Sequence, residues 1–431
     1  MMKTISALFA IAIAGSAAAA ETPTIDDAIS AAERAHTPVL LDFSAPWCYS
    51  CYFMVTHVLN GAEWKALEAK VAVVEVDADS PDGAAWMKKL EIKALPSYVV
   101  LNEKAIEIGR IVGEQPRDKF YAATDKILAG SRTLDQLKAN AAAGSADAIA
   151  SVLGSYEARK LGQNGLEWFR ALPSSARVAV AKNKTVALWL DRLELDRAAK
   201  DKDDAAAVTA AKRVLAGDIG CDRPYIVDQL IASSEKMPEA ERKTVLSAQK
   251  NALDQQLAKD IFIAKPTCAD QRSTVITTAD VDAAIGDAKA ETAVLDRAID
   301  ATRKYLGDDF KKDRNAADNL RVYLVRAKRT EELDALYPKL IAAYPDDYVY
   351  PYRWGRSLVE RGKHAEALPL LEKAADKAYG ENRLVVATFR VKALKALHRE
   401  NDAKQVVADA LEQTGKWFPE EVEKLKAELK S

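Results

Sequence analysis

At residue 131 the hydrophobic pattern of this 431-residue chain changes period, and that change divides what the chain can fold into. Before it, short continuous apolar runs such as "TPVLLDFSA" and "KVAVVEVDA" alternate with amphipathic stretches. Runs of this length, bounded by Pro38 and Ser44 in the first case, predict strands buried on both faces. Thr24 with Asp27 three residues on has the form of a capping box, opening a helical stripe of Ile25, Ala28, Ile29 and Ala32. "CYSCYFMVTHVL" predicts a helix stopping at Asn60-Gly61, and "PDGAAWMKKLEI" another. "LPSYVVLNEKAIEIGRIVG" predicts two strands around a polar turn at Asn102 to Lys104, and "QPRDKFYAATDKILAG" a closing helix. The order implies a right-handed βαβ unit in a mainly parallel sheet with an antiparallel edge hairpin, an α/β domain over 21–130.

After residue 131 the Val-rich runs vanish and Ala, Leu, Lys and Asp take over at helical spacing. Residues 131–315 predict an α-helical domain, interrupted at "CDRPYIVDQ" and "IAKPTCADQRSTVITT". Over 316–431 a weak repeat emerges, Tyr352 to Gly380 echoed by Thr388 to Gly415, with "RVYLVRAKRTEELDALYPKLIAAYP" before them in the same layout. The helices break at Gly362 to His364 and at Glu400 to Asp402. With Trp354, Gly355, Ala367 and a spacing near about 34 residues, these units resemble tetratricopeptide repeats. A generic antiparallel helical array fits the same pattern, and either arrangement leaves a long concave surface for protein docking.

The chain opens "MMKTISALFAIAIAGSAAAAETP". Lys3, the apolar stretch from Ile5 to Ala14 and Ala18 to Ala20 predict a signal peptide over 1–20, too short in its apolar part to span a bilayer. The protein is thus expected outside the cytosol, with no membrane-spanning segment. Charged residues are 29% of the chain and the net charge is −2, both signs being mixed, so no nucleic-acid footprint is present.

That compartment gives meaning to the four cysteines, which are too few for a disulfide scaffold in a chain this long. Cys48-Tyr-Ser-Cys51 can be a redox pair, half of a metal site or a structural disulfide. A single C-x-x-C supplies two of the four ligands zinc takes. His36 and His57 have no partner motif, and His364 and His398 fall on repeat turns where solvent is expected. Metal: none, and cofactors: none beyond a redox-active Cys48–Cys51 pair, are therefore the expectation.

Residues 21–130 resemble the thioredoxin superfamily, in particular its periplasmic thiol–disulfide oxidoreductases. Trp47 precedes the first cysteine, Asp42 lies six residues before it in the apolar strand, and "IKALPSY" and "RIVGEQP" follow in the family's order. A thiolate is the attacking species, and a helix N-terminus favours it, so Cys48 is the expected nucleophile and Cys51 the resolving thiol. The resemblance implies a cis Pro96 beside the sulfurs and Gly113 beside the substrate groove. It also implies an apolar docking rim from Trp47 and Leu95, and a buried Asp42 that takes or relays the Cys51 proton. Asp42 paired with a nearby lysine is the alternative. Two departures stand out: Tyr49-Ser50 lacks both Gly-Pro and the oxidants' His, and Val73 falls where cytosolic thioredoxins carry a buried Lys. Cys221 and Cys268 are expected to form a structural disulfide, or else a second relay exchanging with Cys48. The implied function is an exported oxidoreductase, reducing protein disulfides and recharged by a redox partner, with the helices selecting partners. A non-catalytic periplasmic adaptor is the rival, and an isomerase needs a dimer for its cleft.

Overall fold

Period-two alternation along β1 (Val39–Ser44) organises the first part of the molecule, which a computed structural model describes over residues 24–430. The expected signal peptide at 1–20 lies outside the described residues. Val39, Leu41 and Phe43 join a core with Ile25, Ile29 and Ala32 of α1 (Ile25–Arg34), capped as expected by the reciprocal Thr24–Asp27 pair. Leu40 points the other way, into a core with Met54, Val58, Tyr98 and Phe120. Alternation then assigns Asp42 to that second face, which also receives α2 (Tyr49–Phe53) and its one-turn π extension Met54–Val58.

The chain continues through α3 (Gly61–Glu68), β2 (Ala72–Asp77), α4 (Pro81–Lys89), β3 (Ser97–Leu101), β4 (Glu107–Val112) and α5 (Arg117–Gly130). Strand order is β2-β1-β3-β4. Two expectations need correction. The sheet is not mainly parallel: β1–β2 is parallel, whereas β1–β3 and β3–β4 are antiparallel. A central strand buried on both faces reads as a continuous apolar run whichever way its neighbour runs, so direction was not legible. Helix α3 was also missed, because of its eight residues only Leu67 is buried and its apolar period is faint.

From Leu134 to Lys430 the described residues form antiparallel helices with successive apolar cores. The break expected at "CDRPYIVDQ" is only a 3-10 turn, Gly220–Asp222; Pro224 sits in the first turn of the helix Arg223–Ser233, where its missing N–H costs nothing. The second break is real over 262–270, and the helix Gln271–Ile285 follows. The division expected at 315/316 falls inside the helix Arg314–Arg326, whose Ala317, Leu320 and Leu324 share one core with Leu257 and Tyr337. Cys221 is bonded to Cys268, tying the 3-10 turn to the irregular segment. Closing a loop of that span stabilises the fold by about 4 kcal/mol in the chain-entropy picture. His36 and His398 are exposed, but His364 is half-buried with Nδ1 out of solvent and without a hydrogen-bond partner, contrary to expectation.

The helical array touches the α/β domain at points spread along its length. Arg159, following the helix Ala146–Ala158, pairs with Glu107 on the edge strand β4 at 2.8 Å. The helix Arg314–Arg326 lies against α2. Gly380, at φ +52°, opens the helix Gly380–Ala396 so close to the domain that a Cβ there would stand 1.8 Å from the Asp79 carbonyl. Only glycine fits that approach.

Candidate functional site

Cys48 ends an irregular turn and is the N-cap of α2, its extended backbone leaving the sulfur to accept from the Cys51 N–H at 3.1 Å. A reduced thiolate in that place meets the same amide, the local reason a cysteine at this position ionises readily. Cys51 stands one turn on and is bonded to Cys48, with Cα atoms 5.2 Å apart. Both are nearly closed off, at 4% and 5% exposure. Leu95 packs against this pair with Ala45, Ala78 and Met87. The Leu95–Pro96 peptide is cis, and the Pro96 carbonyl accepts from the Gly113 N–H at 2.9 Å. Gly113 adopts φ +82°, a conformation a side chain would strain. Trp47 remains 41% exposed, its indole N–H donating to both oxygens of the buried Asp79 at 3.0 Å. Burial raises the Asp79 carboxyl to about 6 against the pull of that hydrogen bond.

Asp42 is buried in β1, opposite Glu75 on β2 and Tyr98 on β3. Burial, then the Glu75 charge, push its carboxyl up to about 7. No lysine pairs with it among the described ion pairs. A cavity of about 420 Å³ opens on Cys51, lined also by Ser44, Tyr52, Asp77 and Tyr379. It is roomy and polar enough for water.

The helical array reaches over the motif and holds it through polar contacts. Asn315 donates to the Tyr49 carbonyl at 2.9 Å, and Arg353 to the Trp47 carbonyl at 2.9 Å, so the backbone on each side of Cys48 is bound. The Arg272 guanidinium sits 3.2 Å from the centre of the Tyr49 ring, and Arg314 4.1 Å from that of Tyr52. Tyr49 also donates to Asp270 at 3.3 Å, two residues past Cys268. His57 meets Asp313 at 2.7 Å, a partner invisible in a local motif search. Behind these contacts Asp318, fully buried, accepts from Arg272, Arg321 and Arg353. Burial alone would raise its carboxyl, but Arg321, Arg353 and Arg272 outweigh it and hold the group well below the usual range. Glu114, next to Gly113, is buried near Ser50 and Asp270 with neither oxygen hydrogen-bonded; burial, then Asp270, raise it well above the usual carboxylate value.

Residues 25–128 match the family described as the thioredoxin-like domain. A thiol:disulfide interchange protein DsbD from Ralstonia nicotianae is 30% identical over 107 residues, covering 24% of this chain and 18% of that one. Thioredoxin Y1 of the Arabidopsis thaliana chloroplast is 34% identical over 101 residues, 23% of this chain and 51% of its own. Thioredoxin C-2 of Corynebacterium nephridii is 33% identical over 92 residues, 21% of this chain and 81% of its own. The chain belongs to the thioredoxin family. Its thioredoxin domain, with the bonded Cys48–Cys51 pair, equips it for thiol–disulfide exchange. This chain spans less than two thirds of the first two relatives. A tetratricopeptide repeat protein from Parabacteroides merdae overlies 65% of this chain and 98% of its own at TM-score 0.39 and 13% identity.

Within the thioredoxin domain Leu95 packs against Cys48 and Cys51, Trp47 precedes the pair, and Pro96 is hydrogen-bonded to Gly113; Asp42 lies in β1 between Glu75 and Tyr98, while Cys221 and Cys268 stand apart in the array. Sequence reading missed Glu114, Asp270, Arg272, Arg314, Asn315, Asp318 and Arg353. The one signal for them lies in "RNAADNLRVYLVR", where Asn315, Asp318 and Asn319 occupy buried positions of an amphipathic helix. Among the described residues no group of three or more His, Cys, Asp or Glu gathers as a metal site, and no helix is long and apolar enough to cross a membrane.

The thioredoxin domain's Asp42 has a consequence for stability. In the unfolded chain it loses its proton near the ordinary value of about 4, in the fold near about 7. Between these values the folded state binds more protons, so stability falls as pH rises, by at most about 4 kcal/mol. Asp42→Asn is expected to flatten that slope and to exceed the unmodified chain in urea midpoint above pH 7. An unchanged slope between pH 4.5 and 8 would rule out the raised carboxyl.

Proposed function

We propose that this protein is an exported, periplasmic thiol–disulfide oxidoreductase that reduces disulfides of partner proteins, its helical array selecting which partners reach the dithiol. The observation that carries this is Cys48 capping α2 with Cys51 bonded to it one turn on, and Leu95 of the cis Leu95–Pro96 peptide packed against the pair. In the reduced chain the Cys48 thiolate attacks one sulfur of a partner disulfide; an S–S bond forms to Cys48 and the partner's other sulfur leaves as thiolate, taking a proton from water. Cys51 passes its proton to Asp42 and attacks the Cys48 sulfur, and the partner's second thiolate departs. Two electrons have moved to the partner, and Cys48–Cys51 is a disulfide again. A dithiol redox partner must then return two electrons and two protons. The interchange-protein relative and the Cys221–Cys268 disulfide support an oxidising compartment.

The test is the reduction potential of each pair, found by equilibrating the chain in thiol buffers, alkylating and weighing the products. A Cys48–Cys51 couple near about −270 mV supports a reductase, and one near about −120 mV reverses the direction. Cys221–Cys268 is expected to stay oxidised throughout; its titration together with the first pair would make it a relay. One observation favours a second reading, a binding or assembly factor whose dithiol cycles rarely: the array already covers the motif and leaves Cys48 at 4% exposure.

A further inference from the structure

The array's own disulfide reaches the redox motif through a short chain of contacts. Cys221 precedes the helix Arg223–Ser233 and Cys268 lies in the irregular segment 262–270, so their bond joins two arms of the array. Each arm carries one residue of a shared hydrogen-bonded cluster. Tyr225, four residues past Cys221, donates at 2.7 Å to Asp270, two residues past Cys268. Tyr49, the residue after Cys48, donates to the same Asp270 oxygen at 3.3 Å. Asp270 is in turn the N-cap of the helix Gln271–Ile285, accepting from the Ser273 N–H at 2.9 Å. Arg272, in the first turn of that helix, covers the Tyr49 ring and is held by Asn319 at 2.9 Å. Residues 262–270 form neither helix nor strand, and the bond at Cys268 fixes them covalently to the arm that carries Tyr225. Tyr49 is the first residue of α2, where the Cys48 sulfur meets the Cys51 N–H, so a fixed Tyr49 fixes the turn that sets both sulfurs. Attack of one sulfur on the other depends steeply on that alignment, and a misplacement of about 1 Å can cost about a hundredfold in rate.

We propose that the Cys221–Cys268 disulfide is a positioning element for the redox pair, holding Tyr49 through Asp270 and Arg272 so that Cys51 stays aligned on Cys48. This role rests on the oxidoreductase reading and deepens it: the array's disulfide neither gives nor takes electrons and acts on the resolving step. In that step the Cys51 thiolate attacks the Cys48 sulfur of a mixed disulfide. The Cys48–Cys51 bond forms, and the partner's sulfur leaves as thiolate. The preceding attack by Cys48 on the partner uses one sulfur only and does not depend on the alignment of the two.

Dithiobis-nitrobenzoate separates the two steps on the full chain with Cys48 and Cys51 reduced and Cys221–Cys268 intact. One coloured thiolate is released when Cys48 attacks the reagent, and a second when Cys51 resolves the mixed disulfide. With Cys221→Ala and Cys268→Ala together, the second phase is expected to slow about tenfold while the first is unchanged. That double variant also loses stability, so both phases are read at a temperature where its circular dichroism matches that of the unmodified chain. Asp270→Ala keeps the disulfide and removes its link to Tyr49, and it should slow the second phase about as much. A disulfide that only stabilises the array would leave the ratio of the two phases unmoved. A second phase as fast as that of the unmodified chain, in either the double variant or Asp270→Ala, overturns the positioning role alone. Absence of both phases in the unmodified chain overturns the oxidoreductase reading, and the positioning role falls with it.

Discussion

Replacing Cys48 by serine is expected to reduce disulfide exchange to the uncatalysed rate, the largest effect any single substitution here should have. A serine hydroxyl is not ionised near neutral pH, and the amide that the sulfur meets at the start of α2 cannot make it so. Cys51→Ser should behave differently. Cys48 can still attack, but no second sulfur stands one turn behind it to release the product, so a partner remains covalently attached. Mass spectrometry of the chain incubated with a disulfide-bearing protein distinguishes the two: a mixed disulfide with Cys51→Ser and none with Cys48→Ser. Full biological activity in Cys48→Ser would instead favour the binding factor.

The second large effect belongs to Asp318, which touches neither sulfur. Asp318→Ala leaves Arg272, Arg321 and Arg353 buried together without their anion. Removing one partner from such a cluster costs about 3–5 kcal/mol, because the charges left behind stay desolvated and repel one another. Arg272 and Arg353 are the residues that grip Tyr49 and the Trp47 carbonyl, so their displacement should also loosen the array from the motif. The expected result is a lower urea midpoint together with faster alkylation of reduced Cys48. A midpoint unchanged within about 1 kcal/mol would mean that the cluster contributes little to stability.

The legible and illegible parts of the site divide by the range of the interactions that make them. Cys48 and Cys51 could be located because their spacing after an apolar strand sets a sulfur at a helix start, whereas Pro96 and Gly113 were located through the thioredoxin resemblance, and the fold gives them a cis peptide and a positive φ. Asp42 was legible as an anomaly, a carboxylate inside an apolar strand, and period-two alternation assigned its face. The direction of β3 against β1 left no local trace, because burial on both faces makes the run uniformly apolar. The grip on the motif left almost none. Asn315 and Arg353 bind carbonyls 266 and 306 residues away in sequence, and a polar residue on a helix ordinarily faces water.

The amino-acid sequence by itself determined two kinds of element, their division near residue 131, and a cysteine pair placed one turn apart at a helix start. All of these follow from hydrophobic period and from residue types that act within one turn of themselves. Only the tertiary structure decided that the array bends back onto its own thioredoxin domain, sharing three arginines around Asp318 and admitting Gly380 against Asp79. That closure depends on shape and on charges brought together across hundreds of residues, which a one-dimensional pattern of burial and propensity does not encode.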